Sequence, residues 1–193
     1  MTLKKLLASL EGEPKAKLEA ALEKKEESRQ KYKRMQLNYG FAKLAVRRVL
    51  KEIEINPDHQ YAKLVKSSIR NVEVKFDVVD VYISKYRYYD KHLTHRLKPY
   101  LSKSKIESKA LAEITDLISR FAGGLSSYAG DASHHFRISQ KYFKDTLIYL
   151  KCFHSQLKFE AMMAQRAADE RKGILDGSRV FYYGLIGHIQ VDD

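Results

Sequence analysis

From Arg29 to Lys51 the chain places eight basic side chains, Arg29, Lys31, Lys33, Arg34, Lys43, Arg47, Arg48 and Lys51, and no Asp or Glu. On a helix, Arg29, Lys33, Lys43, Arg47 and Lys51 fall near one line. Helical surfaces ordinarily mix signs, because opposite charges four residues apart help by a few tenths of a kcal/mol and like charges cost as much. A self-repelling row suits a row of phosphates, each neutralised by a Lys or Arg with release of counterions. The plainer alternative is a solvated surface that keeps a cationic chain dispersed.

A second basic cluster comprises Lys85, Arg87, Lys91, Arg96, Lys98, Lys103, Lys105 and Lys109, which face only Asp90 and Glu107 over residues 85–109. Tyr82, Tyr88 and Tyr89 are interleaved with it, and tyrosine rings stack on unpaired bases or carry an arginine on their face. The competing reading is a helix whose tyrosines bury their rings and wet their hydroxyls. Within this run Arg87 and His92 enclose four residues. The six residues RYYDKH resemble the R-x4-H signature of HEPN-type ribonucleases, a helical family that cleaves RNA at a dimer interface. The resemblance implies that the arginine holds the phosphate while the histidine exchanges a proton with a ribose hydroxyl.

Other chemistry is thin. Asp131, His134 and His135 lie together, and Cys152 with His154 makes a Cys-x-His pair, but neither has the spaced four-ligand pattern of a zinc site. His154 reads as a core histidine. Glycine-rich phosphate cradles and nucleophile elbows are absent from the sequence. The expectation is no metal, no cofactor and no catalytic residue.

The elements that position these residues follow from a 4-3 apolar spacing. Val65, Ile69, Val72, Phe76, Val79, Ile83, Tyr86, Asp90, Leu93 and Leu97 keep it without a slip, and only Asp90 is polar. Asn56 and Pro57 make a start and Pro99 a stop, so the spacing predicts a helix over 57–98, roughly 60 Å long. Tyr32, Met35, Tyr39, Ala42, Val46, Val49 and Ile53, preceded by Leu18, Ala21 and Leu22, predict another over 14–55. The short link predicts that the two fold back as an antiparallel hairpin. Ser104 and Glu107 form a capping box for a shorter helix ended by Gly123 and Gly124. The segment LSSYAGDAS reads as a loop, with Ser133 capping a last long helix through Phe136, Phe143, Leu147, Leu150, His154, Leu157, Ala161, Ala164 and Ala168. Gly173 ends that helix, and Phe181, Tyr182, Tyr183, Leu185 and Ile186 are free to dock.

The fold class is therefore all-α: an elongated bundle of three long helices and one shorter helix, the antiparallel hairpin first, in a single domain over 1–193. Residues 1–13 read as an N-terminal extension and 174–193 as a tail. With 193 residues, one cysteine, few glycines and prolines and a net charge of +12, the chain suits one globular domain of a reducing compartment. The twelve-residue run VFYYGLIGHIQV is short of the ~20 residues that span a bilayer, and the N-terminal leucines are interrupted by Lys4 and Lys5, unlike a signal peptide. A cytoplasmic protein is expected.

These readings converge on a noncatalytic nucleic-acid-binding accessory or structural subunit that meets RNA or DNA through Arg29, Lys33, Arg34, Lys43, Arg47, Arg48 and Lys51 on one helix and Lys85, Arg87, Tyr88, Lys91, Arg96 and Lys98 on the next. A homodimer or larger assembly is expected, because long seams with polar gaps invite a second chain. Two rivals remain: a helical scaffold whose basic face meets protein or an anionic membrane surface, and the HEPN-like ribonuclease.

Overall fold

The computed structural model describes residues 2–103 and 105–171. Its helices are α1 (Leu3–Ala8), α2 (Gly12–Ile53), α3 (Gln60–Leu101) and α4 (Ser108–Arg171), an all-α bundle of three long helices and a shorter one. The last three pass through two compact units. Among the described residues, the larger comprises 2–45 and those of 71–141, and the smaller comprises 46–70 and 142–171.

The seams of α2 and α3 lie where the apolar spacing places them. Every seam residue of α3 is buried except Asp90, and on α2 only Ala42 and Leu22 are half-buried. In the larger unit α2 and α3 run antiparallel, with Tyr32 stacked flat on Tyr86 at 3.9 Å between ring centres and Tyr39 edge-on to Phe76 at 5.0 Å. The polar gap at Asp90 is filled from within the chain, by Lys25 Nζ at 3.4 Å.

α1 is more than an extension. Thr2 caps it by accepting from the Lys5 N–H, and its Leu6 is buried with Leu18, Leu93, Leu97 and Ile114. Gly12, with φ +67°, supplies the left-handed residue that turns the chain into α2.

Three expectations about helix ends are corrected. α3 begins at Gln60 rather than Pro57. The Tyr61 N–H donates to His59 Nδ1 at 3.1 Å, so a histidine does the capping assigned to Asn56. Pro99 does not stop α3 but sits in its last turn. The N–H it lacks costs one bond there, and the helix closes two residues later as the Ser102 hydroxyl donates to the Pro99 carbonyl at 2.9 Å. Ser104, half of the expected capping box, and the expected tail from Gly173 lie outside the described residues.

The largest correction concerns α4. The expected short helix, loop and last helix are one helix of 64 residues. Gly123 and Gly124 do not end it, and LSSYAGDAS is helical throughout. Gly124 serves packing instead: a Cβ there would lie 3.0 Å from Tyr89 Cε1. Of the hydroxyls that suggested a loop, that of Ser133 turns back to its own helix, donating to the Ala129 carbonyl at 2.7 Å.

Self-satisfied hydroxyls also shift the α4 seam. Its buried line runs through Phe136, Ser139, Thr146, Leu150 and Phe153, while Leu147, His154, Ala161 and Ala164 are exposed. Counting apolar residues alone skips Ser139 and Thr146 and lands one position off. In the smaller unit Thr146 donates to the Tyr142 carbonyl at 3.0 Å and meets Ser68 Oγ at 2.8 Å. With the Thr146 proton so committed, Ser68 is the donor of that pair.

Candidate nucleic-acid interface

Three members of the basic row of α2, Arg29, Lys43 and Arg48, lie within ion-pair distance of acids. In the larger unit Lys43 Nζ lies 2.8 Å from Asp80 Oδ2 and 4.4 Å above the Tyr39 ring. Arg29 reaches Glu26 at 3.4 Å, and Gln30 together with that guanidinium holds the Glu26 carboxyl below the usual carboxylate range. Lys33 is exposed. Arg34, one step further round the helix, lines a groove of about 760 Å³ with Glu23, Glu27, Met35, Ser133 and Arg137. In the smaller unit Arg47, Arg48 and Lys51 are exposed, Arg48 lying 3.4 Å from Glu52.

On α3 the basic residues separate by side. Arg87 Nε donates to the Tyr32 hydroxyl at 3.0 Å, at the α2 side. Lys85 Nζ sits 5.2 Å over the Tyr82 ring. Arg96 lines a groove of about 570 Å³ that also holds Glu113, Asp116 and Arg120. Beside it the Tyr100 hydroxyl donates to Glu113 at 2.7 Å, which raises the tyrosine's pKa.

Tyr88, Lys91, His92, Thr94, His95 and Lys98 line one groove of about 670 Å³, and among the described residues no carboxylate lines it. Tyr88 is 65% exposed and stacks on His92, with ring centres 5.9 Å apart and planes 10° apart. The His92 ring is backed in turn by Phe121 at 5.5 Å. The neighbouring Tyr89 is wedged between Phe121 and Tyr128, against the bare backbone of Gly124. A solvent-facing aromatic shelf thus stands on a packed aromatic base, with two lysines two helical turns apart beside it.

Of the expected contact residues, this groove gathers Tyr88, Lys91 and Lys98. Lys85, Arg87 and Arg96 face elsewhere, and Arg34 belongs to a mixed-sign groove. His92, Thr94 and His95 were absent from the expected binding set, although Tyr88, His92 and His95 are spaced i, i+4 and i+7, the signal of a shared face.

Arg87 and His92 do not converge within the chain. Five residues of helix separate their directions by roughly 140°, and their contacts differ accordingly, Tyr32 of α2 for the arginine and Phe121 of α4 for the histidine. Among the described residues no three His, Cys, Asp or Glu side chains group as metal ligands. His154 is exposed and lies 3.6 Å from Glu52, so it is not a core histidine. No helix of the described residues is long and apolar enough to cross a membrane. No protein-family model matches the sequence, and neither a curated protein nor a solved structure matches the chain.

Proposed function

We propose that the chain binds single-stranded nucleic acid without catalysis, through the groove on α3, as an accessory or structural subunit. The observation that carries this reading is the absence, among the described residues, of any carboxylate from a groove that presents an exposed Tyr88–His92 stack beside Lys91 and Lys98. An unpaired base offers a π-face to Tyr88, and the lysines meet the flanking phosphates. Duplex offers the phosphates but hides its base faces, so a single strand fits better. Because contacts to phosphate and ring faces read little sequence, weak sequence preference follows.

Fluorescence anisotropy of labelled single-stranded oligonucleotides over a range of salt concentrations tests the proposal. Tyr88→Ala is expected to weaken binding by about 1–3 kcal/mol, roughly 5- to 150-fold. Replacing Lys91 and Lys98 together by Gln should flatten the slope of log affinity against log salt by about 1.4, at ~0.7 per phosphate contact. Wild-type affinity in both variants would sink the proposal.

A further inference from the structure

α2 buries one side in the core of the larger unit and carries Leu37, Phe41 and Leu44 on the other, 62, 62 and 59% exposed. Their spacing, i, i+4 and i+7, makes them one ridge. Scattered exposed apolar residues are ordinary, whereas three large ones on a single ridge form a surface. A Cβ added at Gly40, beside them, would meet no atom of another turn within 4 Å, so among the described residues nothing covers that turn. Lys33 and Arg34 stand exposed one turn before the ridge. Between Glu27 and Glu52 the sequence has no carboxylate at all.

That charge pattern decides between occupants. Laying the ridge on the same ridge of a second copy sets the exposed Lys33 and Arg34 of each copy against a segment that has no carboxylate of its own, the neighbouring Asp80 being taken by Lys43, and like charges repel. The partner must instead bring negative charge and apolar depth together. A protein partner would also need a groove cut to fit a convex ridge. A bilayer needs none, since its acyl boundary accepts protruding Leu and Phe side chains while its headgroups take the flanking cations.

We infer that the α2 ridge is an interfacial docking surface for anionic phospholipid bilayers, in which Leu37, Phe41 and Leu44 enter the acyl boundary and Lys33 and Arg34 remain with the headgroups. The protein then lies on the membrane and does not cross it. This surface is separate from the groove on α3 and does not depend on the function proposed for it.

The chain has no tryptophan, so Phe41→Trp installs a single indole on the ridge, excitable apart from the tyrosines. Its emission is expected to shift to the blue with vesicles rich in phosphatidylserine and not with vesicles of phosphatidylcholine alone. In cosedimentation, Phe41→Glu should lower the fraction bound to phosphatidylserine vesicles at least about tenfold, with an unchanged thermal midpoint because the side chain is outside the core. Leu37→Gln with Leu44→Gln should do the same if Phe41→Glu misfolds. The inference is overturned if wild-type protein ignores phosphatidylserine vesicles, or if Phe41→Glu binds them as wild type does. Self-association that disappears in Phe41→Glu without vesicle binding would assign the ridge to a second copy and overturn it too. Vesicle binding lost only when Lys91 and Lys98 are replaced would move the lipid to α3 and likewise overturn the inference.

Discussion

Gly123 and Gly124 are adjacent in one helix, and alanine should act oppositely at the two. Gly in a helix interior costs roughly 0.5–1 kcal/mol relative to Ala, because it gives up more backbone freedom on folding. At Gly123 a Cβ would meet nothing within 4 Å. Gly123→Ala should therefore keep the full gain and raise the midpoint of thermal unfolding by a few degrees. At Gly124 the same Cβ would lie 3.0 Å from Tyr89 Cε1 and 3.2 Å from Cδ1, well inside the 3.5–4.0 Å at which carbon atoms rest. Tyr89 has little room to retreat, with Phe121 at 5.3 Å and Tyr128 at 5.1 Å between ring centres. Overpacking of this kind costs about 1–3 kcal/mol, which outweighs the gain in propensity. The two alanine variants should differ by about 1–3 kcal/mol, with Gly124→Ala the weaker. Thermal and urea unfolding followed by circular dichroism measures the difference. Adding Tyr89→Leu to Gly124→Ala should recover part of it. If Gly123→Ala proved the more destabilising, or the two were equal, α4 would be broken at the glycine pair and the seating of Tyr89 would be wrong.

Other consequences are quicker to state. Burial raises the Tyr86 hydroxyl to about 12 and raises that of Tyr39 further, with Asp90 and Asp80 adding to the effect. A raised pKa in the folded state means stability that is complete below the unfolded value near 10 and is lost as pH climbs through the folded values. Urea midpoints should hold steady to about pH 9 and fall above 10, and Tyr39→Phe should reduce the fall; a flat profile to pH 12 would refute the burial of both hydroxyls. In the smaller unit, Thr146→Val leaves the Ser68 donor without its acceptor and should cost about 1–3 kcal/mol, whereas Ser68→Ala with Thr146→Val should be nearer neutral. Additive losses would show that the two hydroxyls do not interact. Lys43 and Asp80, both part-exposed, should show a coupling of about 0.2–1 kcal/mol in a double-mutant cycle, weakened by salt.

The hairpin was legible because burial on α2 and α3 is carried by apolar side chains in a regular spacing, from Tyr32 to Ile53 and, but for Asp90, from Val65 to Leu97. α4 was legible in its parts and misread in its continuity. Glycine and serine signal turns when they free the backbone or compete for its hydrogen bonds. In α4 they do neither, because Gly124 makes room for a ring and Ser133, Ser139 and Thr146 return their protons to carbonyls of their own helix. The partner that explains Gly124 is Tyr89, 35 residues earlier, and no local window contains it.

The same logic governs the site. A run without carboxylates is not a surface without carboxylates, since acids arrive from other turns and other helices. Asp80 of α3 takes Lys43, and Glu26, three residues before the α2 run begins, takes Arg29. Conversely, the one acid inside the stretch 85–98 is drawn away: Asp90 turns to Lys25 of α2, and no carboxylate of the described residues lines the groove of Lys91, Lys98 and Tyr88. Long basic runs therefore locate a polyanion site poorly. The site proposed above rests instead on the side of the helix from which folding has removed the acids, and on α3 that is the side bearing the exposed ring. Replacing Thr94, which lines that groove, by Glu would restore an acid without touching the aromatic base, and oligonucleotide affinity should then fall with the fold intact. Affinity that withstood such a charge would mean that the strand lies elsewhere.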